Sequence, residues 1–399
     1  MKKLICFFLI CKAISCFGQN QNSVWIFGDS AGIDFKNIAN PVPVFSAMDN
    51  SGSCASISDS IGNLLFYSFT ANIGIDSEIV VFNYLNDTVV NGNYLIGASQ
   101  YNQILIIPMP NDTSKYYIFH LGYYSVNGLF YSIVDMSLNL GKGVVIQKNV
   151  QLNNVDQGDC LVATKHGNGR DWWVLGKLGG IGTTQHNRFY VYKIAPSNNI
   201  SSAIIQNLGN AVDAAQQKTI VKPEGSKLMS INIGGFMAEY DFDRCTGTIS
   251  NPNIILPQQT SNFTRLFVDG AYSPNGNVFY VSRNSYGGSY GNKNYLLQYD
   301  LTAANIAASC DTVDSTVYPQ ADNFGVRLAP DGKIYYSQAF PWGVPYSDTT
   351  RNTVNENLGV VNNPDVVGSG CNFVPFSFYL GGKRTYYALP NNPDYELGR

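Results

Sequence analysis

The chain is poor in charge. Of its 399 residues only 13% are Asp, Glu, Lys or Arg, about half of the roughly 25% usual for a globular domain. The net charge is −3 and the basic residues are scattered, so no electrostatic footprint for nucleic acid or anionic lipid is present. Histidine is scarce: His120, His166 and His186 are the three. There is no HExxH, GxSxG or phosphate-loop motif, and nothing sets a Ser, a His and an Asp together. No CxxC pair occurs, which removes the usual zinc frameworks. No apolar run is long enough to span a bilayer, and no stretch keeps a 3.6-residue period over three turns. Nucleic-acid binding, a transmembrane segment, a metal site and a cofactor are therefore not expected, and neither is a helical fold.

What remains is a chain that is 45% hydrophobic, enough for a substantial core, with a surface solvated by Asn, Ser, Thr, Gly and Tyr. Residues 1–19 read as an export signal. Lys2 and Lys3 form a basic start, Leu4 to Ile10 a short apolar stretch, and Ala13 to Gln19 supply small residues for cleavage near Gly18 or Gln19. The alternative is a lipoprotein signal ending at Cys16, which Lys12 and Ala13 weaken. Residues 20–399 then form one domain. Five cysteines follow the signal: Cys54, Cys160, Cys245, Cys310 and Cys371. Export permits one or two disulfides, and burial as small hydrophobes is the equal alternative.

A strand, a polar or glycine turn and an aromatic-rich strand recur at blade-sized intervals. The instances lie at residues 56–68, 106–118, 163–175, 221–230, 272–281 and 328–337. In Ser273-Pro-Asn-Gly276 and Ala329-Pro-Asp-Gly332, Pro fixes φ at the first turn position and Gly accepts the positive φ that closes the hairpin. Each hairpin is followed by an outer strand: residues 79–84, 129–135, 189–194, 237–241, 295–300 and, more weakly, 358–361. This is the strand content of an all-β propeller. Residues 24–27 and 32–35 form a hairpin about Gly28-Asp29, and Arg384-Thr-Tyr-Tyr-Ala-Leu389 is an orphan strand. Pairing of these N- and C-terminal strands would complete a seventh blade and remove open sheet edges; six blades with decorated ends is the other possibility.

Trp25-Ile-Phe-Gly-Asp-Ser-Ala-Gly-Ile-Asp-Phe35, Ala55-Ser-Ile-Ser-Asp-Ser-Ile-Gly-Asn-Leu-Leu-Phe-Tyr67, Lys165-His-Gly-Asn-Gly-Arg-Asp-Trp-Trp173, Tyr240-Asp-Phe-Asp-Arg-Cys-Thr-Gly247 and Tyr386-Tyr-Ala-Leu-Pro-Asn-Asn392 resemble a family of secreted WD-repeat or TolB-like propellers of Bacteroidota. The resemblance implies a propeller over the whole mature chain and no assigned catalytic residues. It further implies the company of type IX secretion surface proteins, whose propellers commonly precede adhesin-like and sorting domains. This chain carries no such domains after its propeller, so a stand-alone periplasmic or secreted propeller and a truncated member are both open.

Carboxylates near first-strand positions, Asp59, Asp159, Asp269 and Asp322, could supply the pair that a propeller glycosidase needs; solvation of turns and strand ends explains them more simply. The loops joining second to third strands are long. They carry Tyr123, Tyr124, His186, Tyr286, Tyr290, Trp342 and Tyr346 among glycines and asparagines, a recognition composition suited to stacking on carbohydrate. Packing of these aromatics against the blades is the plainer alternative. The expectation is a secreted or cell-surface, non-catalytic binding or adhesion module for an extracellular glycan or protein. A structural component of an envelope or secretion-associated complex comes second, and an enzyme acting on polysaccharide third.

Overall fold

The computed structural model describes residues 20–49, 52–71, 78–97, 102–122, 126–179, 187–209, 216–259, 265–284, 293–317, 322–339 and 350–397. They form seven antiparallel sheets arranged as a seven-blade β-propeller. The first strands of six blades are Cys54–Ser58, Ile104–Pro108, Val162–Lys165, Gln217–Val221, Leu266–Tyr272 and Asp322–Leu328. Each is hydrogen-bonded to its own second strand only, and successive first strands lie side by side around the axis.

Local chemistry builds each hairpin as expected. Gly225, Gly276 and Gly332 sit at φ of 77°, 71° and 75°. Their amides donate back to Lys222, Ser273 and Ala329 carbonyls at 2.7, 2.9 and 3.0 Å. The strands that follow are buried on both faces, as in Val278–Asn284, where only Arg283 is less than buried. Burial on both faces explains their continuous apolar runs and the failure of simple alternation. The strands expected to be outermost are instead third in their blades. A further strand lies outside each, for example Thr248–Leu256 and Phe373–Tyr379, and these are largely exposed.

The seventh blade holds Val24–Phe27, Asp29–Asp34 and Val42–Asp49. The chain after the sixth blade meets it at Arg384, which bridges Asp29 and Ser30. Arg384 Nε also donates to Asp29 Oδ2 at 2.9 Å. Gly28, at φ 61°, makes this contact possible, because a Cβ there would run into the Arg384 carbonyl oxygen. The two chain regions thus close the ring, but Arg384–Leu389 forms no ladder beyond that bridge. Residues 385–397 continue into the axial channel.

Cys54, Cys160, Cys245, Cys310 and Cys371 are unpaired; the first two and Cys371 are buried, Cys245 and Cys310 exposed. Among the described residues no helix is long and apolar enough to cross a membrane.

Candidate functional site

The channel is walled by the free edges of the first strands, and residues 390–395 fasten themselves to those edges through side chains. Asn391 Nδ2 donates to the carbonyls of Ile104 and Leu161 at 3.0 and 2.9 Å, joining blades 2 and 3. Its backbone amide donates to Cys54 O at 2.9 Å. Asn392 Oδ1 accepts from Ser56 N at 3.1 Å, and Tyr395 OH donates to Ile106 O at 2.8 Å. From blade 6, Arg327 reaches across the axis. Its Nη2 donates to Asn102 Oδ1 at 2.8 Å and to Asn391 Oδ1 at 3.4 Å, and its Nε to Pro390 O at 3.1 Å. Arg327 and Asn391 together form a polar plug in mid-channel.

Towards the start of the first strands lies a buried polar belt. Gln103 Nε2 donates to Asp159 Oδ1 at 2.5 Å. Lys218 Nζ pairs with Asp269 Oδ1 at 3.1 Å, and Asp269 also accepts from Gly270 N at 2.7 Å and Val326 N at 3.3 Å. The belt therefore draws on blades 2 to 6. Burial pushes the Asp159 carboxyl up to about 7, against a smaller opposing pull from Gln103 and Lys218. Burial likewise brings Lys218 down to about 8, with Asp269 opposing it. Two of the four expected carboxylates, Asp159 and Asp269, thus converge on the channel. They are 5% and 3% exposed, so solvation of strand ends does not account for them. Asp59 is a turn residue, its Oδ1 accepting from Ile61 N and Asn63 N at 3.0 and 2.9 Å. Asp322 opens a strand, and its side chain lies outside the described residues.

Towards the end of the first strands, beyond the plug, is a partly open cavity of about 370 Å³. Its walls are Leu105 of blade 2, residues 162–164 of blade 3, 219–223 of blade 4, 270–272 and Pro274 of blade 5 and 327–330 of blade 6, together with residues 391–397. The volume falls in the range of ligand pockets, about 300–1,000 Å³. Lys222, Asp394 and Glu396 bring charge of both signs to it. Burial raises the Asp394 and Glu396 carboxyls. Thr164 and Thr219, both in the lining, are buried, and their hydroxyls have no hydrogen-bond partner among the described residues. The cavity reaches the Pro-containing turns at Pro223, Pro274 and Pro330. Short turns hid it, because its walls are strands and a channel segment rather than loops.

All seven loop residues singled out from the sequence, Tyr123, Tyr124, His186, Tyr286, Tyr290, Trp342 and Tyr346, lie outside the described residues. The other two histidines are structural. His120 is fully buried, with Nδ1 at 2.6 Å from Ile96 O and Nε2 at 3.1 Å from Ser132 Oγ. His166 stacks on Trp173 at 5.3 Å.

No protein-family model matches the chain, and no curated protein matches its sequence. Solved structures do share its architecture. One is a Bacteroides uniformis protein provisionally described as a 6-phosphogluconolactonase: 12% identity, TM-score 0.52, covering 90% of this chain and 97% of that one. A luciferin-regenerating enzyme is similar at 10% identity and TM-score 0.43, over 81% of this chain and 91% of its own. The Cps50 (Swd1) β-propeller domain of Myceliophteria thermophila is similar at 8% identity and TM-score 0.40, over 79% and 93%. At 12% identity the likeness to the first of these speaks to the fold alone.

Proposed function

We propose that this protein is an exported, non-catalytic binding propeller, displayed at the cell surface or released, that takes part of an extracellular glycan or protein into its axial channel. The cavity beside residues 391–397 carries this reading. It combines an apolar floor from Ile220, Val221 and Leu328 with a few convergent polar groups, the composition of a recognition pocket. The likeness of the sequence motifs to secreted Bacteroidota propellers supports the extracellular setting.

Against catalysis stands the use to which the converging carboxylates are put. Asp269 spends both oxygens on Lys218, Gly270 and Val326. Asp159 lies beside a space of only about 10 Å³, about enough for one water.

The test is incubation of the purified protein with glycan and peptide libraries, read by thermal shift and by mass spectrometry of the recovered ligand. The expected outcome is a ligand that raises the melting temperature and is recovered unchanged; at about 100 times its Kd it adds roughly 2.7 kcal/mol of stability. Chemical conversion of the ligand, abolished in Asp159→Asn, would overturn the reading.

A further inference from the structure

The occupied half of the channel shows what the open half is built to hold. A first strand bonds its own second strand on one edge and turns its other edge to the axis, so its N–H and C=O groups there seek partners. On blades 1, 2 and 3 the partner is the chain itself. Cys54 O, Ile104 O, Ile106 O and Leu161 O accept, and Ser56 N donates, all to residues 391–395. These contacts come from amide and hydroxyl side chains and one backbone amide, not from a ladder. A peptide is thus held in the channel without becoming a strand. First-strand residues of blades 3 to 6, among them Thr164, Thr219, Gly270 and Arg327, line the cavity as well.

We propose that the cavity is a peptide site: it takes a short, uncharged, extended peptide rich in Asn, Ser or Thr, laid alongside residues 391–397 against the first strands of blades 4 to 6. This rests on the reading of the protein as a binding propeller and names the ligand class for its channel. Two features argue for an uncharged polar peptide. The cations at the cavity are already engaged, Lys222 with Glu224 at 3.3 Å and Arg327 with Asn102 and Pro390. The hydroxyls of Thr164 and Thr219 have no partner among the described residues, and a side-chain amide or backbone group of a ligand would satisfy them.

The probe is acetyl-Pro-Asn-Asn-Pro-amide, which repeats residues 390–393, titrated into the full-length protein. N,N′-diacetylchitobiose is titrated in parallel. Calorimetry gives affinity, and methyl-detected NMR on the wild type locates the site without requiring any variant to fold. The expected result is saturable binding of the peptide at about 1 mM or tighter, with shifts centred on Thr219, Ile220, Val221, Ala271 and Leu328. Thr219→Val, which keeps shape and removes the hydroxyl, is expected to weaken it about fivefold. No peptide binding, or peptide shifts away from these methyls, overturns the proposal. Binding of the disaccharide alone in this cavity also overturns it, while leaving the binding-propeller reading intact.

Discussion

At the scale of single residues, Asp159 and Lys218 set opposing demands on the fold. An aspartate in an unfolded chain loses its proton near pH 4, whereas burial holds the Asp159 carboxyl up to about 7. Between those values the native state binds more protons than the unfolded one, so this group's contribution falls as pH rises from about 4 to about 7. Its penalty is complete above that. Lys218 works in the other direction. The fold releases its proton near 8 and the unfolded chain near 10.4, so its penalty is complete below about 8 and is relieved as pH climbs towards 10. Near neutrality both penalties apply together. Asp159→Asn keeps an oxygen for the Gln103 amide and removes the first penalty. Its melting temperature is expected to gain on wild type as pH rises from 5 to 8, exceeding it at pH 8 by roughly 2 °C or more. A variant that melts lower than wild type at pH 8 would mean that the ionised carboxylate is paired and stabilising after all.

At the scale of elements, the Gly28 turn is the point where two distant stretches of chain must touch. Alanine there faces both a left-handed backbone, at about 1–2 kcal/mol, and the Arg384 carbonyl. Gly28→Ala is expected to cost about 2–4 kcal/mol, read as a lower urea midpoint with unchanged slope. A loss below about 0.5 kcal/mol would show that the Arg384 approach is slack. The same region shows where sequence reasoning stops. Hairpins such as 272–281 and 328–337 were legible because turn chemistry and burial coincide there. The fourth strands were not, because an exposed outer strand such as Thr248–Leu256 needs neither alternation nor a turn signature. Tyr386-Tyr-Ala-Leu389 has the apolar character of a strand, and residues filling a channel need that character just as much. Pro390 and Pro393, which cannot donate to a ladder, were the available hint. Asp159 and Asp269 were visible as carboxylates, but their partners Gln103 and Lys218 come from other blades, and no spacing along the chain encodes those meetings. The cavity was invisible for the same reason: its walls come from five blades, 2 to 6, and from residues 391–397 at the other end of the chain.

At the scale of the whole molecule, a propeller is a ring whose stability depends on its seam. The strands of each blade are continuous in sequence, and hydrophobic clusters run from one blade to the next; the cluster holding Trp25 and Phe27 also holds Leu358 of blade 6 and Tyr67 of blade 1. The seam is polar where those clusters meet the axis. Asp29 accepts from Arg384 Nε at 2.9 Å and faces Arg351 at 3.6 Å, and Arg384 itself is only 8% exposed. Removing Arg384 leaves a half-buried carboxylate with the more distant, more exposed partner, a loss of about 1–3 kcal/mol. Because that loss falls on one joint, its effect should be local rather than spread around the ring. Hydrogen exchange of Arg384→Ala is expected to speed up in residues 24–49 and 385–397, while blades 3 and 4, on the far side, keep wild-type protection. Equal loss of protection in all seven blades would instead show that the ring opens as a single cooperative unit, with the Asp29–Arg384 contact holding no more of the closure than any other part of it.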